Sequence, residues 1–405
     1  MTTVNFRPIA GGITAPRGFR AAGVACGIKT NGKFDLSLLV SDQLASAAGV
    51  FTTNLAKAAP VLLSVEHLEK SGGRSRAVVI NSGCANACTG DDGRAHARAM
   101  AERTGAAIGC DPSAVLVAST GVIGVKLVMA NVERGLIDAA AQLSPDGGSN
   151  AAVAIMTTDP FPKECAIEAS ARGRAFRVGG MAKGSGMIEP LMATMLGVVT
   201  TDAAVQPALL KRALKAAVDE TFNAITVDGE CSTNDCVFAL ANGASGVELG
   251  DSDFALLVDS LKAACEPLAI GIVRGGEGAT KLVMVQVSGA CSTDDARKAA
   301  RAIANSPLVK TAIHGGDPNW GRLIAVAGRA GVPFSLDNAA VRIGPVTLFS
   351  NGTPHDERAP EAADYLQRRE IDVEVNLGVG GHGTFRMWTC DLSAEYVRIN
   401  ADYRT

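Results

Sequence analysis

Gly184-Ser-Gly-Met-Ile-Glu-Pro-Leu-Met-Ala-Thr-Met-Leu-Gly-Val-Val-Thr-Thr-Asp202 joins a Gly/Pro-punctuated loop to a β-branched run. At its middle lies a small-to-hydroxyl junction, Ala193-Thr194. A Thr that becomes the first residue of a new chain gains two tools. Its Oγ is a nucleophile, and its freed α-amine is a base with an unperturbed pKa of about 7.7–8.0. Before cleavage the same hydroxyl can attack the carbonyl of Ala193, whose small side chain leaves it sterically open. An N-to-O acyl shift then gives an ester that water opens, releasing Thr194 as an N-terminus. Ala-Thr dipeptides are common, and the plain reading of Met192 to Val199 is a buried apolar strand following a turn.

Outward from this stretch, short β-branched runs alternate with Ala-rich helical ones. The patterning predicts strands at Leu36–Val40, Ala77–Ile80, Val115–Ala118, Val153–Met156, Leu196–Val199 and Leu282–Val287. It predicts helices at Asp91–Thr104, Val132–Gln142, Pro207–Phe222, Phe254–Cys265 and Thr293–Asn305. In the Pro207 helix, proline sits at a tolerant first position, and Leu210, Leu214, Val218 and Phe222 form an i, i+4 stripe. Ser292 caps the last helix, with Asp294 and Asp295 at its positive dipole end. The class is mixed α/β. Gly271–Gly278 and Gly344–Pro360 read as boundaries, giving a main α/β domain over residues 1–280 and a smaller C-terminal α/β domain over 281–405.

Three of the predicted strands run into hydroxyl clusters: Ser119-Thr120-Gly121, Thr157-Thr158-Asp159 and Thr200-Thr201-Asp202. Singly, each is an ordinary strand exit. Together they point to strand ends that present polar groups to a pocket.

Composition removes several classes. A chain of 405 residues can bury a large core and hold two or three domains. With 38 basic and 41 acidic residues, no Lys/Arg run and few Tyr or Trp, it carries no nucleic-acid footprint. The ten cysteines include no C-x-x-C pair, and none of the five His falls at zinc-ligand spacing to a Cys pair, so reduced thiols and no metal are expected. No continuous apolar core marks a signal peptide in residues 1–20, and no window approaches a membrane-spanning length. The expectation is a cytoplasmic protein with no membrane contact. Gly275-Gly-Glu-Gly-Ala-Thr-Lys281 looks like a phosphate loop but lacks the Gly-Lys-Ser/Thr that one requires.

Met192-Ala-Thr-Met-Leu196, preceded by Lys183-Gly-Ser-Gly-Met-Ile188, resembles the self-cleaving site of the ornithine acetyltransferase family, also called glutamate N-acetyltransferase. The resemblance runs from Gly11-Gly-Ile-Thr-Ala-Pro16 to the terminal Ile399-Asn-Ala-Asp-Tyr-Arg-Thr405. One departure is Leu191, where the family commonly carries a polar residue. The resemblance implies layered sheets and helices of the DmpA/ArgJ-like type, cleavage at 193/194, strands from both fragments in shared sheets, and an α2β2 assembly. It implies Thr194 as nucleophile, Thr120 and Gly121 as oxyanion hole, and Thr157, Lys183, Thr194, Glu277, Asn400 and Thr405 as substrate contacts. His314, in a Gly/Pro-shaped loop with Trp320, reads as structural, with Trp320 packed between domains.

The reaction implied is ping-pong acetyl transfer from N2-acetyl-L-ornithine to L-glutamate within arginine biosynthesis, with no cofactor and with acetyl-CoA as a candidate second donor. A self-processing aminopeptidase or amidase shares the chemistry with water as acceptor. A non-catalytic amino-acid-binding protein is the alternative from another class.

Overall fold

The computed structural model describes residues 6–189 and 195–402. Leu191, the Ala193-Thr194 junction and Thr405 therefore lie outside the described residues. The chain divides into two compact units. One takes residues up to Asn223 and Glu230–Ile272; the other takes Ala224–Gly229 and Val273 onward.

The first unit is built on a mixed sheet. Its strands are β1 (Arg7–Pro8), β2 (Phe19–Val24), β3 (Leu36–Phe51), β4 (Arg74–Cys84), β5 (Val115–Val122), β6 (Lys163–Ala171), β7 (Arg174–Lys183), β8 (Leu196–Thr201) and β10 (Cys236–Ala241). They run in the order β1-β6-β7-β8-β10-β3-β4-β5, with β2 also on β3; a separate two-strand pair joins β9 (Ala204–Val205) to β11 (Glu248–Leu249). The central strands are buried on both faces, which is why Leu36-Ser-Leu-Leu-Val40 reads as a continuous run. Leu36, Leu38 and Val40 pack with Val79, Met100, Val132 and Leu136, the last three from α2 (Gly90–Ile108) and α3 (Met129–Ala141). Leu39, Val78 and Leu116 face the other way, with Ala151 and Ala152 of α4 (Gly148–Ala154). The remaining helices here are α1 (Ala59–Lys70) and α5 (Pro207–Glu220), and α6 (Phe254–Arg274) ends in the second unit.

Strand order carries the main consequence for the junction. β8 and β10, downstream of residue 194, lie between β7 and β3, which are upstream. β7 pairs antiparallel with β8 from Val178↔Thr201 to Lys183↔Leu196, and β10 runs parallel to β8 with Cys236 opposite Leu196.

The second unit has β12 (Leu282–Ala290), β13 (Ala340–Ile343), β14 (Val346–Ser350), β15 (Thr353–Pro354), β16 (Glu370–Asn376) and β17 (Gly383–Cys390), in the order β15-β14-β13-β16-β12-β17. Its helices are α7 (Thr293–Ala304), α8 (Pro307–Gly315), α9 (Trp320–Gly328), α10 (Ala359–Tyr365) and α11 (Ala394–Asp402). The excursion Ala224–Gly229 joins this unit through the Ile225–Trp388 bridge and through buried Lys310, whose Nζ donates to Val227 O at 2.8 Å. The boundary in α6 falls earlier than residue 280.

Two expected elements differ. Val153–Met156 is not a strand. Gly148–Ala154 is helical, with Ala151, Ala152 and Ala154 fully buried and Val153 turned outward. α6 continues past Cys265 to Arg274 although Pro267 lies inside it. An interior proline costs about 3 kcal/mol or more. Burying Leu268 and Ile272 contributes roughly 1.5–3 kcal/mol each, enough to carry the helix through.

Candidate active site

β4 and β5 run parallel and end together, Ser82 opposite Thr120 and Gly83 opposite Gly121, with a register shift at Cys84. Such irregularities re-aim backbone groups at a strand end. Gly121 has φ +129°, and a Cβ there would stand 2.3 Å from the Gly83 carbonyl carbon and 2.6 Å from Cys84 N. Only glycine fits between the two backbones. Two buried amides brace this end. Asn81 accepts from Ser119 Oγ at 2.5 Å and donates to Cys84 O at 2.8 Å. Asn234 donates to Ala85 O at 2.6 Å and Ser119 O at 2.8 Å.

Lys183 closes β7 and is buried. Its Nζ donates to Thr120 Oγ1 at 3.2 Å. That bond occupies a lone pair of the hydroxyl and leaves its own O–H as a donor for another group. Leu196, two residues past the junction, is the β-partner of Lys183, and Met195 is buried with its carbonyl accepting from Cys236 N at 3.2 Å.

Asp159 ties the remaining parts to Lys183. Its Oδ1 accepts from Lys163 Nζ at 2.5 Å and from Gly184 N at 2.7 Å; its Oδ2 accepts from Thr157 N at 2.9 Å. Burial works to raise its pKa, but the Lys183 and Lys163 ammonium groups and these hydrogen bonds hold the carboxyl down to about 2. Thr158 Oγ1 meets Ser185 Oγ at 2.6 Å. Lys29 enters from the loop before β3. Four backbone N–H groups, of Cys26, Gly27, Ile28 and Lys29, donate to the buried Asp35 carboxylate and fix this loop.

Thr120, Gly121, Thr157 and Lys183 are thus brought into one connected cluster in the first unit. Glu277 and Asn400 are paired in the second, where Asn400 Nδ2 donates to the buried Glu277 Oε2 at 2.9 Å. The third hydroxyl cluster does not belong to the site. Thr200 donates to Ile13 O at 2.6 Å, Thr201 donates to Arg177 O at 2.8 Å, and Asp202 accepts from Arg177 N at 2.7 Å. These residues lie at the opposite end of β8 from Leu196, so the three clusters do not converge. His314 Nδ1 pairs with Asp391 Oδ2 at 2.7 Å, and the same carboxylate also accepts from the Thr280 hydroxyl and the Thr280 and Lys281 amides. Trp320 stacks on Phe349 at 5.0 Å and donates to Asp356, both within its own unit. No group of metal-binding side chains is found among the described residues.

Sequence reasoning passed over Asn81, Asn234, Lys163 and Lys29. Asn81-Ser-Gly83 is a polar strand exit like the three that were noticed; nothing sets Asn234 apart from an ordinary turn asparagine.

A family model described as the ArgJ family matches residues 20–405. Arginine biosynthesis bifunctional protein ArgJ of Symbiobacterium thermophilum is 50% identical over 404 residues, covering 98% of this chain and 99% of its own. The protein of that name from Parasynechococcus marenigrum is 48% identical, covering 98% of this chain and 96% of its own. Among solved structures, a chain of the Bacillus halodurans arginine biosynthesis bifunctional protein is 44% identical with a TM-score of 0.50. The match covers all of that chain and 52% of this one.

Proposed function

The chain belongs to the ArgJ family, and from that premise we propose that it is an acyltransferase of arginine biosynthesis that carries acetyl from N2-acetyl-L-ornithine to L-glutamate on Thr194. The observation that carries the reading is the Lys183–Thr120 contact beside the Lys183↔Leu196 pair, two residues from the proposed nucleophile. Thr194 Oγ attacks the acetyl carbonyl and its α-amine takes the proton. The Thr120 hydroxyl and Gly121 N–H stabilise the tetrahedral oxyanion. The C–N bond breaks, ornithine leaves with that proton, and an acetyl ester remains. The amine of glutamate attacks the ester, giving N-acetylglutamate and restoring the threonine. A thioester such as acetyl-CoA loads the same hydroxyl, which fits the word bifunctional in the relatives' names.

Cleavage before Thr194 is part of this proposal. The solved relative is a chain spanned by 52% of this one, and residues 194–405 make up about that share. Interleaving of β8 and β10 between β7 and β3 supports fragments that stay together, and we propose an α2β2 assembly. Glu277, Asn400 and Thr405 are proposed as further substrate contacts on the family resemblance. Ten unpaired cysteines favour a reducing, cytoplasmic setting, and the reaction as written uses neither metal nor organic cofactor.

Thr194→Ala tests the reading. It should leave one uncut chain with no transfer from acetylornithine to glutamate; transfer at the wild-type rate would overturn Thr194 as nucleophile. Acetate release without glutamate-dependent product would instead identify a hydrolase.

A further inference from the structure

Around Lys183 the charges do not balance. The carboxylate of Asp159 is taken by Lys163 at 2.5 Å, and that of Asp35 by four backbone N–H groups. Lys183 bonds a hydroxyl. Lys29 Nζ donates to two carbonyls, Phe34 O at 2.7 Å and Met156 O at 2.8 Å. Neither Lys29 nor Lys183 has a carboxylate at salt-bridge distance among the described residues. Three lysines against two aspartates leave a surplus positive charge among groups that are buried, apart from the partly buried Lys29, and buried charges are expected to be paired. Each of these groups is accounted for except for the partner of that surplus.

Lys29 is placed to use it. A Cβ on Gly83 would meet its Cγ at 3.1 Å, and Gly83 is the backbone against which Gly121 packs. The stem therefore runs beside the end of β4, and the ammonium reaches Met156, next to Thr157 in the chain. Two of its three N–H donors are spent on carbonyls, leaving a third. Burial is the largest influence and lowers its pKa to about 8; Asp35 works the other way, and Lys183 adds to the lowering.

We propose that Lys29 is a second carboxylate-binding residue of this site, sharing a substrate carboxylate with Lys183. The proposal rests on the acetyl-transfer reading for the identity of the substrate. The competing role is structural, Lys29 serving only to anchor its loop.

The test compares N2-acetyl-L-ornithine with its carboxamide as donors for the unmodified enzyme, Lys29→Met and Lys29→Arg. A hydrogen bond to a charged group is worth about 1.5–3 kcal/mol. Lys29→Met should therefore raise KM for the carboxylate donor about 10–100-fold, with kcat little changed. KM for the carboxamide should not move, and Lys29→Arg should restore most of the loss. An equal loss on both donors would overturn the proposal, as would an unchanged KM for the carboxylate. Lys29→Gln, which keeps donors for both carbonyls without the charge, replaces Lys29→Met if that variant does not fold. If the unmodified enzyme transfers no acetyl group, the functional reading fails. Calorimetric binding of L-ornithine still decides on Lys29: about tenfold or greater weakening in Lys29→Met supports the proposal, and equal affinity overturns it.

Discussion

Replacing Gly121 with alanine gives the sharpest prediction, because its magnitude can be worked from two backbones. The added Cβ would lie 2.3 Å from Gly83 C, 2.6 Å from Cys84 N and 2.7 Å from Gly83 Cα, against ordinary contact at 3.4–4 Å. No flexible side chain can give way. The ends of β4 and β5 must separate by about 1 Å, and a φ of +129° adds strain of order 1–3 kcal/mol in an L-residue. With overpacking of about 1–3 kcal/mol, the stability cost is about 2–6 kcal/mol. A displacement of about 1 Å in reacting geometry costs roughly 10²-fold, and a lost oxyanion donor costs about 10²–10³-fold in kcat. Gly124→Ala is the control. Its φ is +78° and nothing lies within 4 Å of the new Cβ, so it meets backbone strain without a clash. The assay is kcat for acetyl transfer together with a denaturant melt of both variants. Gly121→Ala should fall at least about 100-fold in kcat while Gly124→Ala stays near the wild type. Equal behaviour of the two would refute the argument that the packed backbones at 83 and 121 set the site's geometry.

Asp159→Asn removes the counter-ion of Lys163, leaving a buried ammonium unpaired, and should destabilise the first unit by about 3–5 kcal/mol, read by chemical denaturation. The same carboxylate supplies a pH test. Its folded pKa is depressed to about 2, so its stabilisation is complete above the unfolded value of about 3.9, declines as pH falls below that value and is gone once pH has fallen through about 2. If Lys29 binds a carboxylate, KM for the carboxylate donor should rise as pH passes about 8, where its ammonium loses its proton. The charged groups coupled to it are Asp35, Lys183, Asp159 and Lys33. This limb should be absent for the carboxamide and in Lys29→Met. His314→Gln should lower stability modestly through Asp391 and leave kcat within about threefold, since its partners are structural; a loss of catalysis with stability intact would reassign it.

Much of this was legible in the chain because the signals were local. Runs such as Val115–Ala118 and Leu196–Val199 fall on strands, and Ser292 caps its helix by accepting from Asp295 N at 3.1 Å. Thr120, Gly121 and Lys183 could be named because they belong to ordered motifs. What failed was the inference from similar local signals to a shared place. Thr200-Thr201-Asp202 looks like Thr157-Thr158-Asp159 in sequence, yet the antiparallel β7–β8 pairing sends it to the far end of the strand. Val153–Met156 misled because alanine and valine suit a buried helix as well as a strand. Asp159 and Lys29 act through partners distant in sequence, such as Gly184 and Met156, and no local pattern encodes those contacts.

The central claim is that Thr194 is both the residue freed by cleavage and the carrier of the acetyl group. Intact-mass analysis of the purified protein, before and after incubation with N2-acetyl-L-ornithine without acceptor, addresses both parts at once. Two fragments divided between Ala193 and Thr194 are expected, with the downstream one heavier by a single acetyl group that peptide sequencing places on Thr194 and that glutamate removes. A fully active uncut chain, or an acetyl group carried on any other residue, would contradict it.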